Sequence, residues 1–370
     1  PLQARVEGRR TIGNDLNPLG YVLSRAKANP PTWAAVTAVL DKLEGNYKAA
    51  AEPEPDESED ITMLFSHGTL KQLCYLRRYL HRHGLEKWSP EELMIAGSLA
   101  GIMHGAHRRD GSSQYLSISM PNTFSMSPSY VKKFIREKKL VPPDQDVFER
   151  IRDKLARLYL DSIEGPAGKT YKQDAAKLLT DKTIPPGSAD LIVTSPPYLQ
   201  VVNYGTANWI RLWLLGVDEV GREQGKGRLL INEVLDHRHT YTSYKIFMQR
   251  ILFGIEQTLK RNGVAAVVIG DVVEPGKDRV PLAKQIWADI GEQTGLTLVE
   301  MIEDQLPVDK KVSRIWGDTK GQATDKDCVL VLAPKSAVIA EKRADISWDE
   351  PYKDGGPDAA HSRVTANSDH

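Results

Sequence analysis

The stretch Asp190-Leu191-Ile192-Val193-Thr194-Ser195-Pro196-Pro197-Tyr198 decides how this chain is read. Its first half is an apolar, β-branched run of the kind that forms a buried strand. Two prolines then end the strand in a rigid turn, with a hydroxyl on one side and an aromatic ring on the other. Proline fixes φ and lacks an N–H, so the turn is poor in donors and its carbonyl oxygens stay free to accept. Ser195 Oγ and the Pro196 carbonyl are thus placed to accept from one exocyclic NH2 group, and Tyr198 to stack on the flat ring that carries it. In an open α/β sheet, ligands bind outside the carboxyl ends of the strands, where this turn falls.

Around the turn, residues 166–335 alternate strands and helices. Ala189–Thr194, Val264–Gly270, Leu296–Ile302 and Cys328–Ala333 read as strands, and Thr206–Leu215, Tyr244–Lys260 and Pro281–Glu292 as helices. This alternation implies an α/β fold with a mostly parallel, doubly wound sheet. The last two strands, separated by a basic loop with Arg314, Trp316 and Lys320, are placed to pair antiparallel at one edge. Residues 61–165 are almost wholly helical by pattern and read as an inserted helical domain. Leu70, Leu73, Leu76 and Leu80 recur at helical spacing, and Ser89-Pro90-Glu91-Glu92 is a helix start with a capping hydroxyl. Ser127-Pro128 opens another helix, carrying Lys132, Lys133, Arg136, Lys138 and Lys139 opposite Val131, Phe134 and Ile135, and Val147 to Tyr159 form the stripe of a fourth. Residues 1–48 hold a short strand at Thr11–Asp15 and two helices, the second running from Trp33 towards Leu43. The acidic, proline-bearing segment 49–60 reads as a mobile linker or exposed loop, and residues 336–370 as a disordered tail.

The 370 residues balance 49 Lys and Arg against 49 Asp and Glu, so no global charge excess points to a nucleic-acid or membrane partner. A hydrophobic share of 41% is enough to bury a core. No apolar run approaches the roughly 20 residues that span a bilayer, and no secretion signal opens the chain. Cys74 and Cys328 cannot build a disulfide framework or a thiolate metal cluster, which fits a reducing, cytoplasmic setting. His104 and His107 lack nearby acids or thiolates at ligand spacing, so no metal is expected.

The block Ser195-Pro196-Pro197-Tyr198 resembles the S-P-P-Y signature of amino-methyltransferases, which use S-adenosylmethionine to methylate exocyclic amines of DNA bases. Gly8 to Pro18, with Asn14-Asp15-Leu16-Asn17, resembles that family's second strand and its acidic terminus. The resemblance implies that Asp15, with Asn17 beside it, holds the cofactor's ribose hydroxyls; an exposed turn aspartate is the plain alternative. Lys172-Gln173-Asp174-Ala175 resembles the end of the third strand, which puts Asp174 near the adenine amine; read alone, Asp174 is equally a helix N-cap. Thr194, ending the strand before the signature, falls to the cofactor as well. Asn203-Tyr204 to Trp213 is similar in style to the family's stretch after the signature, or is simply core.

The resemblance covers about residues 1–30 and 168–335 and implies a Rossmann-like methyltransferase sheet, with the helical insertion as DNA-recognition region. One part is lacking. The family's first strand and its D-P-F-x-G-x-G loop, whose glycines let backbone approach the methionine end, occur nowhere. That strand belongs centrally, between those ending at Asp15 and Thr194. The expectation is therefore a fragment of a longer reading frame, an element supplied by another chain, or a protein that no longer binds cofactor.

Direct transfer to an exocyclic nitrogen needs no covalent intermediate, and positioning supplies most of the acceleration. Methylation at cytosine carbon 5 needs a thiolate, in its family within a Pro-Cys pair; Cys74 follows Leu73 and Cys328 follows Asp327, which excludes it. Serine in the first position resembles the N4-cytosine enzymes, and aspartate the N6-adenine ones, so N4-cytosine is favoured. The base must leave the duplex, which demands local phosphate contacts. Ile61–Leu160 carries 16 Lys and Arg against 9 Asp and Glu. Lys132, Lys133, Arg136 and Lys139 are the candidate DNA contacts, with Arg314 and Lys320 as a second patch and a solvated helix face as the bland reading. Double-stranded DNA is the implied partner, a restriction endonuclease the implied genetic partner, and the nucleoid the implied location. An RNA guanine-N2 methyltransferase, with a similar Pro-Pro-aromatic turn, and a non-enzymatic DNA-binding remnant are the rival readings.

Overall fold

Caps and apolar stripes place the helices of a computed structural model that describes residues 1–120, 127–160, 164–181, 183–199, 204–217, 240–271, 280–305, 313–316, 319–322 and 326–337. Strands β1 (Ile12–Asn14) and β2 (Lys169–Tyr171) pair in parallel, with Gly13 opposite Thr170. Strands β3 (Ala189–Thr194), β4 (Leu259–Gly270), β5 (Leu296–Gln305) and β8 (Lys326–Pro334) form a second sheet in the order β3-β4-β8-β5. β3 and β4 are parallel, Thr194 opposite Val267, whereas β8 runs antiparallel to both of its neighbours.

The fold is mixed α/β, with the last two strands antiparallel as the sequence indicates. The single, mostly parallel sheet is not what forms. The described strands split into separate sheets, with no ladder between β1 and β3. Arg9, just before β1, lies within electrostatic reach of Asp190 at the start of β3. Beyond the other ends of the two strands, Leu16 and Tyr204 pack on the same Leu212. β1 and β3 thus flank one gap from the same direction. β3 is accordingly no buried strand: Leu191 is 60% and Val193 68% exposed, both on one face of the strand that no described element covers. The basic loop near residue 314 is also corrected in part, since β6 (Ser313–Trp316) and β7 (Thr319–Gln322) form an antiparallel hairpin with Arg314 opposite Gly321 and Lys320 opposite Ile315.

Thirteen α-helices lie among the described residues. Short α1 (Leu2–Val6) precedes β1, and α2 (Pro18–Ala28) and α3 (Trp33–Ala49) follow it. α4 (Glu59–Thr62), α5 (His67–His81), α6 (Pro90–Ile102), α7 (Pro128–Lys138) and α8 (Val147–Leu158) make the helical block. α9 (Ala175–Thr180) precedes β3; α10 (Tyr204–Ala207) and α11 (Trp209–Leu214) follow it; α12 (Tyr241–Thr258) and α13 (Leu282–Ile290) flank β4.

α6 is the axis of the helical block. Ser89 Oγ accepts from Glu92 N while the Glu92 carboxylate accepts from Ser89 N, the full capping box that Ser-Pro-Glu-Glu announces. Leu93 to Ala100 are all buried, as a helix apolar on every side must be. α2 and α3 pack into the same core through Val22, Ala26, Val36 and Leu40, and α3 extends well past Leu43. A second core lies between β4, β8, α12 and α13, around Ile251, Val267, Ile286 and Leu330.

The acidic segment is no free linker. Glu52 pairs with Arg78, Glu54 with Lys71 and His67, and Glu57 accepts from the Trp213 indole N–H at 2.9 Å. The cations of α5 hold the strap in place, which composition alone does not reveal. The expected tail lies, from residue 338 on, outside the described residues.

Candidate active site

The turn after β3 is built as its sequence suggests: Pro196 is buried, Pro197 and Tyr198 are half-buried, and Ser195 stands exposed beyond Thr194. Pro196 anchors the turn and leaves the serine hydroxyl towards solvent. Tyr198 turns inward, against the end of β4. A Cβ on Gly270 would lie 2.8 Å from Tyr198 Cε2 and 3.1 Å from Asp327 Oδ1, so only glycine admits the ring here. Gly270 faces Asp327 in the β4–β8 register, and the Tyr198 hydroxyl donates to the Asp327 carboxylate. Burial, then the nearby Asp327 charge, raises the Tyr198 pKa and keeps the phenol neutral. Tyr204 and Tyr244 lie within electrostatic reach of Tyr198. The reading of the sequence missed Gly270, Asp327 and Tyr244. The first had a signal, since Ile269-Gly270-Asp271 ends a strand parallel to β3, at the same sheet edge as the turn.

A second set of groups lies at the ends of β1 and β2. Asp15 Oδ1 accepts from Asn17 N at 2.9 Å, and its Oδ2 lies 1.9 Å from where a Cβ on Gly20 would be. The carboxylate is therefore folded onto the start of α2. Asn17 Oδ1 caps that helix, accepting from Leu19 N at 3.0 Å. Asp174 Oδ1 accepts from Ala176 N at 2.8 Å, the N-cap role its sequence context allows. Asn14 Nδ2 donates to the Gln173 carbonyl, while its Oδ1 is buried with no hydrogen-bond partner. Such an orphaned acceptor at a strand end suits a ligand donor.

Burial raises the Asp15 carboxyl above its usual range, outweighing the Asn17 N–H, which lowers it. The charged form is then the costly one in the fold. Stability grows as pH falls through the raised pKa and is lost above it. Asp15→Asn keeps an acceptor for Asn17 N–H and is expected to raise the melting temperature at neutral pH. It should also flatten the gain on mild acidification and weaken S-adenosylmethionine binding in a calorimetric titration. A lower melting temperature at neutral pH would show that the carboxylate's hydrogen bond outweighs its burial.

The candidate DNA contacts lie on other elements. On α7, Lys132 Nζ pairs with Glu59 at 2.6 Å and Lys133 with Glu137 at 3.8 Å, while Arg136 and Lys139 are exposed. Exposed pairs of this kind contribute little and exchange readily for phosphate. Arg314 and Lys320 are placed by the hairpin backbone, and their side chains lie outside the described residues. Both cysteines are buried and free; burial pushes the Cys74 thiol up to about 12 and raises that of Cys328, so neither offers a thiolate. No group of three or more metal-ligating side chains converges among the described residues, and no described helix is long and apolar enough to cross a membrane.

No family model matches the chain, and no curated protein matches it. Among solved structures, the cytosine-N4-specific PvuII DNA methyltransferase matches at 16% identity, covering 45% of this chain and 49% of that one, with a TM-score of 0.28. A candidate DNA modification methylase from Thermus thermophilus, complexed with S-adenosyl-L-methionine, matches at 20% identity over 44% of this chain and 53% of that one, TM-score 0.26. A SAM-dependent methyltransferase from Leishmania major matches at 13% identity over 52% of each chain, TM-score 0.22. The chain spans about half the length of each of these structures.

Proposed function

We propose that this protein is a DNA amino-methyltransferase, moving a methyl group from S-adenosylmethionine to the exocyclic amine of a flipped base, with N4 of cytosine favoured over N6 of adenine. The observation that carries the reading is the Ser195–Tyr198 turn at the carboxyl end of β3, with Ser195 exposed and Tyr198 seated on Gly270. Ser195 Oγ and the Pro196 carbonyl accept the two amine hydrogens and aim the nitrogen lone pair. Tyr198 offers ring surface to the base, held by Asp327 through its hydroxyl. Pro196 and Pro197 contribute no backbone donor that would compete with the amine.

S-adenosylmethionine supplies an electrophilic methyl on a sulfonium, so the chain needs no nucleophile of its own. Asp15, on turning out from α2, and Asn14 Oδ1 fit the ribose hydroxyls, and the second oxygen of Asp174 fits the adenine amine. Nothing among the described residues fits the methionine end. The protein's cofactor is thus held from one side only, with the gap between β1 and β3 beside it.

Incubation with duplex DNA and radiolabelled S-adenosylmethionine, followed by digestion to nucleosides, tests the reading. N4-methylcytosine is the expected product. N6-methyladenine would reassign the base, and label in RNA guanine alone would favour the guanine-N2 alternative. No labelled nucleoside, together with intact DNA binding, would leave the non-enzymatic remnant. Replacing Lys132, Lys133, Arg136 and Lys139 with Gln is expected to weaken duplex binding and flatten its salt dependence, by roughly 0.9 in log–log slope for each phosphate no longer neutralised. An unchanged slope would move these contacts elsewhere.

A further inference from the structure

Between the loop that follows α6 and the outer side of α8 lies a recess of about 260 Å³, walled by Arg108, Arg150, Arg157, Ser112, Ser113 and Tyr115, among others. None of these residues belongs to the Ser195 turn or to the strand ends around Asp15. Arg150 and Arg157 are two helical turns apart and so project from one face of α8. Arg108 is brought opposite them by a closed turn: Arg108 N donates to the Ser112 carbonyl, Gly111 N donates to the Arg108 carbonyl, and Gly111 takes a φ of 83° that favours glycine. The one acid in this turn, Asp110, is occupied by Ser112, accepting from its N–H at 2.9 Å and its hydroxyl at 2.7 Å.

The charges of the recess are poorly balanced from within. Arg150 pairs with Asp153 at 3.0 Å and Glu149 at 3.8 Å, yet its Nε is buried without a hydrogen-bond partner. Arg108 and Arg157 have no carboxylate within ion-pair distance among the described residues. Three guanidinium groups therefore face one concavity with two neighbouring serines and spare donors. Planar guanidinium forks match the oxygens of a phosphate in bidentate fashion, and a small halide or carboxylate would leave most of these donors unused. The volume exceeds that of a free phosphate ion.

We propose that this recess binds a backbone phosphate of duplex DNA, as a contact of the helical block separate from α7. The inference rests on the DNA reading proposed for the protein. It is tested in the full chain with the double variant Arg108→Gln/Arg157→Gln and a random-sequence duplex, measured between low and physiological salt. The slope of log affinity against log salt is expected to fall by about 1, one phosphate's worth, with the melting temperature unchanged because neither arginine is in an ion pair. Arg108→Lys/Arg157→Lys, which keeps the charge, is expected to retain most of the slope. Wild-type slope in the Gln variant, with DNA still bound, would overturn the recess and leave the DNA reading standing. Inorganic phosphate binding that the Gln variant loses, without any change in duplex affinity, would make it a small-anion site and equally overturn the proposal. A fall in melting temperature shared by both variants would assign the arginines a structural role instead. A wild-type chain that binds no duplex at any salt would sink the DNA reading itself, and the recess with it.

Discussion

Ser195→Ala is expected to lower methyl transfer about 100-fold, the cost typical of removing one pre-aligned hydrogen-bonding group, with duplex affinity almost unchanged. The serine is exposed at the strand end and bonded to nothing among the described residues, so its loss removes an acceptor and disturbs no packing. Tyr198→Ala should cost about 1–3 kcal/mol of stacking and lower both turnover and base engagement. Tyr198→Phe separates ring from hydroxyl: it keeps the stacking surface but leaves Asp327 without its donor. Gly270→Val provides an independent route to the same defect, since any side chain there meets the Tyr198 ring. Wild-type rates in Ser195→Ala and Tyr198→Ala together would place the reacting amine elsewhere.

The largest effect on stability is expected from filling the gap between β1 and β3. Pro1 Cγ would lie 2.8 Å from a Cβ on Gly13, so the chain enters beside the middle of β1. A strand and glycine loop fused ahead of Pro1 can therefore reach the gap. Covering Leu191 and Val193, now mostly exposed, is worth about 3 kcal/mol. At this chain size that corresponds to a rise in melting temperature of roughly 4 °C. Ladder partners for two free strand edges add to it. Affinity for S-adenosylmethionine should rise with it, because the fused loop supplies donors to the methionine end. Tight cofactor binding by the monomeric, unextended chain would show that the cofactor lies elsewhere, and binding only in a dimer would point to a loop supplied by a second copy.

Local grammar carried much of the architecture. The capping box at Ser89, the stripe from Val147 to Leu155 and the strand that stops at Pro196 are decided by neighbours in sequence, and the structure has them where the residues indicate. The features that escaped depend on distant pairing. Asp327 meets Tyr198 only because β8 runs antiparallel to β4 in a register that sets it opposite Gly270. Glu52, Glu54 and Glu57 read as a solvated acidic run until α5 presents Arg78, Lys71 and His67 to them. Asp15 and Asp174 were legible as acids at strand ends, but their competing attachments to the helices after them were not both visible. The exposure of Leu191 and Val193 reverses the expectation from a β-branched run, because a strand is buried by its neighbours and not by its composition.

Immediately beyond the candidate turn, α11 drives Trp209, Ile210, Trp213 and Leu214 into the core of the helical block, where Arg211 Nε donates to the Ala100 carbonyl and Arg77 Nε to that of Trp213. Such a peg denies the block the independence of a cassette. An exchange of residues 61–165 for a foreign segment would strip two tryptophans of cover and leave buried donors and carbonyls without counterparts. Substitutions on the solvent faces of α7, α8 and their loops leave the shared core intact, whereas wholesale transplantation of the block does not.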